Sequence, residues 1–282
     1  MHHIFIDKSE IDLDNKFVDI DCISDYENYN HLVNSLRIKE GEFVLCSVIP
    51  FISSFDYRTR VSSIDKNKVS LSIEEETKAN ELDIEINLYQ GLCKSDKFEF
   101  IIEKAVELGV HKIIPLDTEY TIVKFEQNEK KLISKLDRFN KIAKSAAEQS
   151  KRHYIPEVSK PLKLSDIKIN DVANAYNILF YENANCIEKT KNYIDSIKCQ
   201  EHKESSLFKQ NANQISDYSY HKIINVFIGP EGGFSDKEIT EVKKMGFNIL
   251  SLGKRILRTE TAAVTALSIL MYEFEKDEIS KI

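Results

Sequence analysis

From Asp83 onward the chain switches between two hydrophobic periods, and this switching limits the fold more than any other feature. Asp83–Gln90 (DIEINLYQ) alternates apolar and polar residues, as a strand does. Ser95–Leu108 then places Phe98, Ile101, Ile102, Ala105 and Leu108 at helical spacing, and Gly109 fits the left-handed turn that ends a helix. The pattern continues through strands at Lys112–Leu116, Asn177–Tyr181, Ile223–Ile228 and Asn248–Leu252. The intervening helices are expected at Lys130–Ser150, Ile187–Ile197, Ser235–Met245 and Thr259–Phe274. Strands that alternate with helices predict a mostly parallel α/β sheet. Gln200–Tyr220 is polar and aperiodic and reads as a surface excursion.

The first 75 residues differ. Candidate strands at Phe17–Ile20, Glu42–Val48, Tyr57–Ile64 and Lys68–Glu74 surround one short helix near Tyr26–Leu36, which predicts a small barrel or sandwich. Glu75–Leu82 is polar and reads as a linker. The expected division is therefore 1–75, a linker at 76–82, and an α/β domain at 83–282.

Composition narrows the class. Hydrophobic residues make up 42% and charged residues 30%, ordinary globular values. No apolar run reaches the ~18 residues of a membrane helix, and the N-terminus lacks a signal-peptide pattern. The five cysteines are scattered and His111 and His153 have no ligand-spaced partners, so neither a disulfide frame nor a metal site is expected. These features predict a cytoplasmic protein. Net charge is −7, which alone argues against a polyanionic partner. Its distribution is uneven: residues 1–75 hold 8 Lys/Arg against 14 Asp/Glu, whereas residues 141–163 hold 6 against 2. Lys254, Arg255 and Arg258 add three cations within five residues.

Two segments carry chemistry. Val226–Glu238 (VFIGPEGGFSDKE) runs from a buried strand through a Gly/Pro-rich turn into a helix that Ser235 and Glu238 start as a capping box. Three glycines in five residues permit positive φ and close approach of a ligand to the backbone. Ligands of open α/β sheets sit in this position, beyond a strand's C-terminal end. The turn has neither the Gly-Lys-Ser/Thr of a P-loop nor a GxGxxG fingerprint. A tight strand–helix connection explains one such turn equally well. The second segment, Leu250–Thr261 (LSLGKRILRTET), also leaves a strand and enters a helix, and two such loops can share a crevice. Ala262–Tyr272 is apolar nearly all round, as in a core or subunit-interface helix. Arg258 and Glu260 at its start are site candidates.

The segments IGPEGGFSDKEI (228–239) and LGKRILRTETAAVTAL (252–267) resemble the RsmE family of 16S rRNA (uracil-N3) methyltransferases, of the SPOUT class. KSDKFEFIIEKAVELGVHKIIPL (94–116) and KIAKSAAEQSKRHYIPEV (141–158) are similar to further signature segments of that family, and Leu32–Glu42 to its N-terminal domain. The resemblance implies an N-terminal PUA-like β-barrel and a SPOUT-type, trefoil-knotted, mostly parallel α/β sheet. It also implies a homodimer with its site near the interface, and 16S ribosomal RNA in the small ribosomal subunit as substrate.

The implied cofactor is S-adenosylmethionine, held by Leu179, Tyr181, Glu182, Ile228, Gly229, Pro230, Glu231, Gly232, Gly233, Leu252, Gly253, Ile256, Leu257, Arg258, Thr261 and Ala262. Arg258 is expected to orient the uracil and stabilise its anion, with Glu260 as acid/base and Glu231 second. RNA phosphates are expected at Arg37, Lys94, Lys97, Lys151, Arg152, Lys254 and Arg255, with Arg58 and Arg60 as further contacts. Ile49-Pro50-Phe51-Ile52 stands where the family has a polar Asp-Gly turn. Two rivals remain open: a SPOUT enzyme acting on ribose or another base, and a non-catalytic dimeric RNA-binding protein of the same fold.

Overall fold

A computed structural model describes residues 1–50, 55–123, 128–184, 187–208 and 222–275. The chain divides into two units, Met1–Glu81 with Ala147–Ile155, and Leu82–Ala146 with Pro156–Ile282.

The first unit holds β1 (His2–Asp7), β2 (Ile11–Asp12), β3 (Phe17–Asp21), α1 (Tyr26–Asn30), β4 (Phe43–Ile49), β5 (Phe55–Ile64) and β6 (Lys68–Lys78). They form a six-stranded sheet in the order β1-β4-β5-β6-β3-β2, in which only the β1–β4 pair is parallel. The strand expected to end at Glu74 continues to Lys78, because Glu75–Lys78 pair with Phe55–Arg58 after a bulge. Phe51 and Ile52 of the departing turn lie outside the described residues. Alternate residues of these strands (Ile4, Ile6, Val18, Ile20, Val44, Cys46, Val69, Leu71) turn inward and bury one core with Leu32 and Ile38.

The returning segment Ala147–Ile155 is tied to this unit by polar groups that the sequence reading left unassigned. His153 Nδ1 lies 2.7 Å from Asp56 Oδ1, Ser47 donates to the same oxygen, and His3 Nε2 lies 2.8 Å from Ser47 Oγ. All four side chains are buried, and burial pushes His3 below its ordinary pKa. Arg152, expected at a phosphate, is only 4% exposed and clamps Glu81, with Nη2–Oε2 at 2.5 Å. That pairing removes it from the RNA-facing cations.

The second unit contains β7 (Ile84–Gly91), α2 (Ser95–Glu107), β8 (Lys112–Asp117), α3 (Glu129–Ser150, its last turn belonging to the first unit), β9 (Glu157–Val158), β10 (Leu162–Lys163) and α4 (Ile169–Val172). It continues with β11 (Ala175–Phe180), α5 (Ile187–Phe208), β12 (Lys222–Ile228), α6 (Asp236–Lys244), β13 (Asn248–Leu250) and α7 (Thr259–Phe274). The sheet is parallel, ordered β10-β8-β7-β12-β11-β13, with β9 also on β8. The α/β alternation therefore yields the expected parallel sheet. α5 extends past Ile197 to Phe208, and the rest of the expected excursion, 209–220, lies outside the described residues.

Side-chain chemistry fixes register and layers here. Asn87, Asn225 and Asn177 stand side by side on β7, β12 and β11 and form an amide ladder, with bonds of 3.2 and 2.9 Å. A one-residue slip would break the ladder and strand the buried amides of Asn177 and Asn225. On the same sheet face, Phe227 is fully buried, stacked on Tyr89 at 4.2 Å and tilted against Phe247 at 4.8 Å. Leu179 joins the same cluster with Ile239 and Val242 of α6. α2 packs against α7, and buries Phe98, Ile101, Ile102, Ala105 and Val106. It ends as expected at Gly109 (φ 84°), where Val110 N–H reaches the Ala105 carbonyl.

Candidate active site

The C-terminal ends of β11, β12 and β13 deliver three loops to one cavity of about 640 Å³. The first supplies Tyr181 and Glu182, and the second Gly229–Phe234. The third supplies Ser251–Gly253 and Arg255–Arg258, with Thr259 and Ala262 following from α7 and Lys97 reaching in from α2.

Each loop is anchored locally. Tyr181 N–H donates to the Leu250 carbonyl at 3.0 Å, joining the first loop to the third. Thr190 of α5 donates to the Ser251 carbonyl and accepts from the Ser251 amide. The second loop leads into α6 through the expected capping box: Ser235 accepts from Glu238 N–H while Glu238 accepts from Ser235 N–H. Ser235 also donates to Glu119, and Glu119 N–H to Glu238, so the cap reaches beyond its own helix.

The glycines act in two ways. Gly233 has φ 70°, and a Cβ there would lie 2.9 Å from Glu182 Oε1. Gly91, at the end of β7, is not in the turn at all, yet a Cβ on it would fall 2.3 Å from Pro230 N. The turn is thus pressed backbone to backbone against β7.

Electrostatics separate the acidic candidates. Glu231 is bonded to Lys97 at 3.0 Å, which holds the Lys97 ammonium above its usual pKa. Glu260 is half-buried, and its Oε2 is buried with no hydrogen-bond partner among the described residues. Arg258 is exposed, lines the cavity and is the N-cap of α7 without a side-chain cap bond. The start of α7 thus lacks a capping side chain, and its Arg258, Thr259 and Ala262 line the cavity, a setting suited to polar or anionic ligand groups. Burial pushes the nearby Cys93 thiol up to about 12, so it stays protonated at neutral pH and is a poor nucleophile.

An RNA methyltransferase domain model matches residues 80–271, and an RNA methyltransferase PUA domain model matches residues 23–74. The ribosomal RNA small subunit methyltransferase E of Bacillus subtilis is 34% identical over 88% of this chain and 89% of its own length. The chain belongs to this methyltransferase E family. The Mesomycoplasma hyopneumoniae relative of the same name is 33% identical, over 83% of this chain and 84% of its own. A Legionella pneumophila protein described as a methyltransferase and solved with bound SAM is 26% identical, with a TM-score of 0.69, covering 96% of this chain and 98% of that one.

In this family member the cavity gathers most residues that the sequence reading assigned to the cofactor: Tyr181, Glu182, Ile228–Gly233, Leu252, Gly253, Ile256, Leu257, Arg258 and Ala262. Leu179 is instead fully buried in the core cluster, because alternation on β11 turns it toward α6. Thr261 is exposed and absent from the lining. Lys97 and Arg255, expected on phosphates, line the cavity. Lys94 and Lys254 are exposed, as are Arg37 and Lys151 in the first unit. Arg58 and Arg60 pair with Glu75 and Glu74 and stack over Phe43. The lining also takes in Phe180 and Thr259, which lie within the loops expected around the cofactor (179–182 and 252–262), and Phe234 and Ser251, which lie just outside them. Phe234 and Ser251 each adjoin an expected residue, Gly233 and Leu252, so the local sequence signal stops one residue short of them.

Proposed function

We propose that this chain methylates N3 of a uridine in 16S ribosomal RNA within the assembled small subunit, with S-adenosylmethionine as donor. The carrying observation is the single cavity in which a glycine-rich strand end, an uncapped helix start and Arg258 meet, in a member of the methyltransferase E family. The residues fit the cofactor: the cavity is of ligand size, and the Gly229–Gly233 turn lines it. Tyr181, Gly229–Gly233, Leu252, Leu257 and Ala262 would hold it. S-adenosylmethionine supplies an electrophilic methyl on a sulfonium, so the protein's task is alignment and charge control.

Uracil N3 carries a proton that must leave before N3 can attack. Glu260 does not line the cavity itself but directly follows the lining residues Arg258 and Thr259. It is the assigned base because its buried Oε2 has no hydrogen-bond partner among the described residues, whereas the cavity-lining Glu231 already pairs with Lys97. Arg258 orients the base and stabilises its developing anion. The Watson–Crick edge is reachable only if the uridine is unpaired and splayed out. Lys94, Lys254 and Arg255 meet phosphates in this reading, with Arg37 and Lys151 contributing from the first unit.

The functional division is a PUA-like barrel whose last strand runs to Lys78, past the expected boundary at 75, and a trefoil-knotted domain from 83 onward that lends Ala147–Ile155 to the first unit. The knot rests on the family resemblance; the parallel order β12-β11-β13 collects three strand ends at the cavity. The enzyme works as a cytoplasmic homodimer through α7; no helix among the described residues is long and apolar enough to cross a membrane.

Mapping modified nucleotides in rRNA from cells lacking the protein tests the reading. One N3-methyluridine should vanish from 16S rRNA and return with the wild-type gene. Arg258→Ala and Glu260→Gln, folded, should each restore under a hundredth of the wild-type rate, on the scale of general acid–base and oxyanion losses of about 10²–10³. An unchanged modification pattern, or loss of a ribose or other-base methyl, would refute it.

A further inference from the structure

Gln90 is fully buried at the penultimate position of β7. Its Nε2 donates to the Gly91 carbonyl at 3.0 Å and to Thr259 Oγ1 at 2.9 Å. Thr259 Oγ1 in turn lies 2.6 Å from the Gly229 carbonyl. The contact with Gly91 O sets the amide's orientation, since the flipped amide would place two oxygens together. An amide nitrogen only donates, so the Thr259 hydroxyl accepts from Gln90 and has its one hydrogen left for Gly229. The relay has a single direction: Gln90 to Thr259 to Gly229.

Its two ends matter. Gly229 opens the glycine-rich turn, and Thr259 stands between Arg258 and Glu260. Gly229, Arg258 and Thr259 all line the cavity. A hydroxyl at a helix start commonly serves its own helix, but this one bonds another loop. We propose that Gln90 and Thr259 are positioning residues for methyl transfer, setting the spacing between the cofactor turn and the Arg258–Glu260 pair. This rests on the function proposed above.

The test is calorimetric affinity for S-adenosylmethionine, with melting temperature as the check on folding. Thr259→Val keeps the shape and removes the relay; Thr259→Ser keeps the hydroxyl. Gln90→Glu keeps the size but carries at most one hydrogen where Gln90 Nε2 carries two, so it cannot donate to both the Gly91 carbonyl and Thr259. Thr259→Val and Gln90→Glu should weaken binding about tenfold, the effect of one buried polar group left unpaired. Thr259→Ser should stay within about twofold of wild type. At saturating cofactor, kcat on small subunits should fall about tenfold or more in Thr259→Val and recover in Thr259→Ser, because misalignment costs rate as well as affinity. If Gln90→Glu does not fold, the Thr259 pair decides alone. Thr259→Val that folds and matches Thr259→Ser in affinity and kcat overturns the proposal. Wild-type protein that binds no S-adenosylmethionine overturns instead the function on which it rests.

Discussion

Glu10 illustrates how far a single residue's environment can depart from its sequence context. Its Oε2 accepts from Asp7 N–H in a capping box, while the rest of its carboxyl is buried beside the carboxylates of Asp25 and Asp7. Burial raises its pKa from 4.5 to about 7. The folded state therefore holds the Glu10 proton more tightly than the unfolded state does. The resulting stabilisation is complete below pH 4.5 and is lost as pH rises through about 7. Gln at this position keeps the acceptor and removes the charge. Glu10→Gln should melt higher than wild type at pH 8 and no higher at pH 4, in paired thermal scans; equal differences at both pH values would contradict this. The same distinction between a residue type and its surroundings separates Glu260 from Glu231. Both are glutamates in signature segments, and only the fold shows that Lys97 occupies one of them.

At the scale of elements, the glycine-rich turn is held by β7 as much as by its own sequence. Gly91 lies where any side chain would collide with Pro230 and Gly229. Neither of those backbone segments can swing away, since Pro230 is 2 residues from the end of β12 and Gly229 accepts from Thr259. Gly91→Ala should cost about 1–3 kcal/mol in denaturant unfolding, the range for an overpacked site, and should weaken S-adenosylmethionine binding more than an equally destabilising core truncation such as Ile102→Val. Elements with strong periodicity were readable from sequence: α2, α6 with its capping box, and α7 start and stop within a few residues of expectation. The short pieces β9, β10 and α4 were not, because two to four residues show no period.

For the whole molecule, α7 links the cavity to assembly. It buries Ala263, Ala266, Leu267, Leu270 and Phe274, yet leaves Val264 and Ile269 half-exposed and Tyr272 79% exposed. Its apolar surface thus exceeds what its own unit covers, which supports the proposed dimer helix. Sedimentation velocity at micromolar protein should give a dimer, and Tyr272→Asp should shift it toward monomer; a wild-type monomer across that range would remove the proposal.

The sequence by itself determined the parallel α/β class, the two strand-end loops and the helix that follows them, because hydrophobic period and glycine, proline and capping residues are local signals. It also carried the family, through the two C-terminal segments. Tertiary structure alone decided which distant residues serve those loops. Gln90 meets Thr259 at a sequence separation of 169, and Gly91 meets the turn at Pro230. Arg152 turns out to be clamped on Glu81 rather than free for phosphate. Such pairings depend on strand order and register, which no local period encodes.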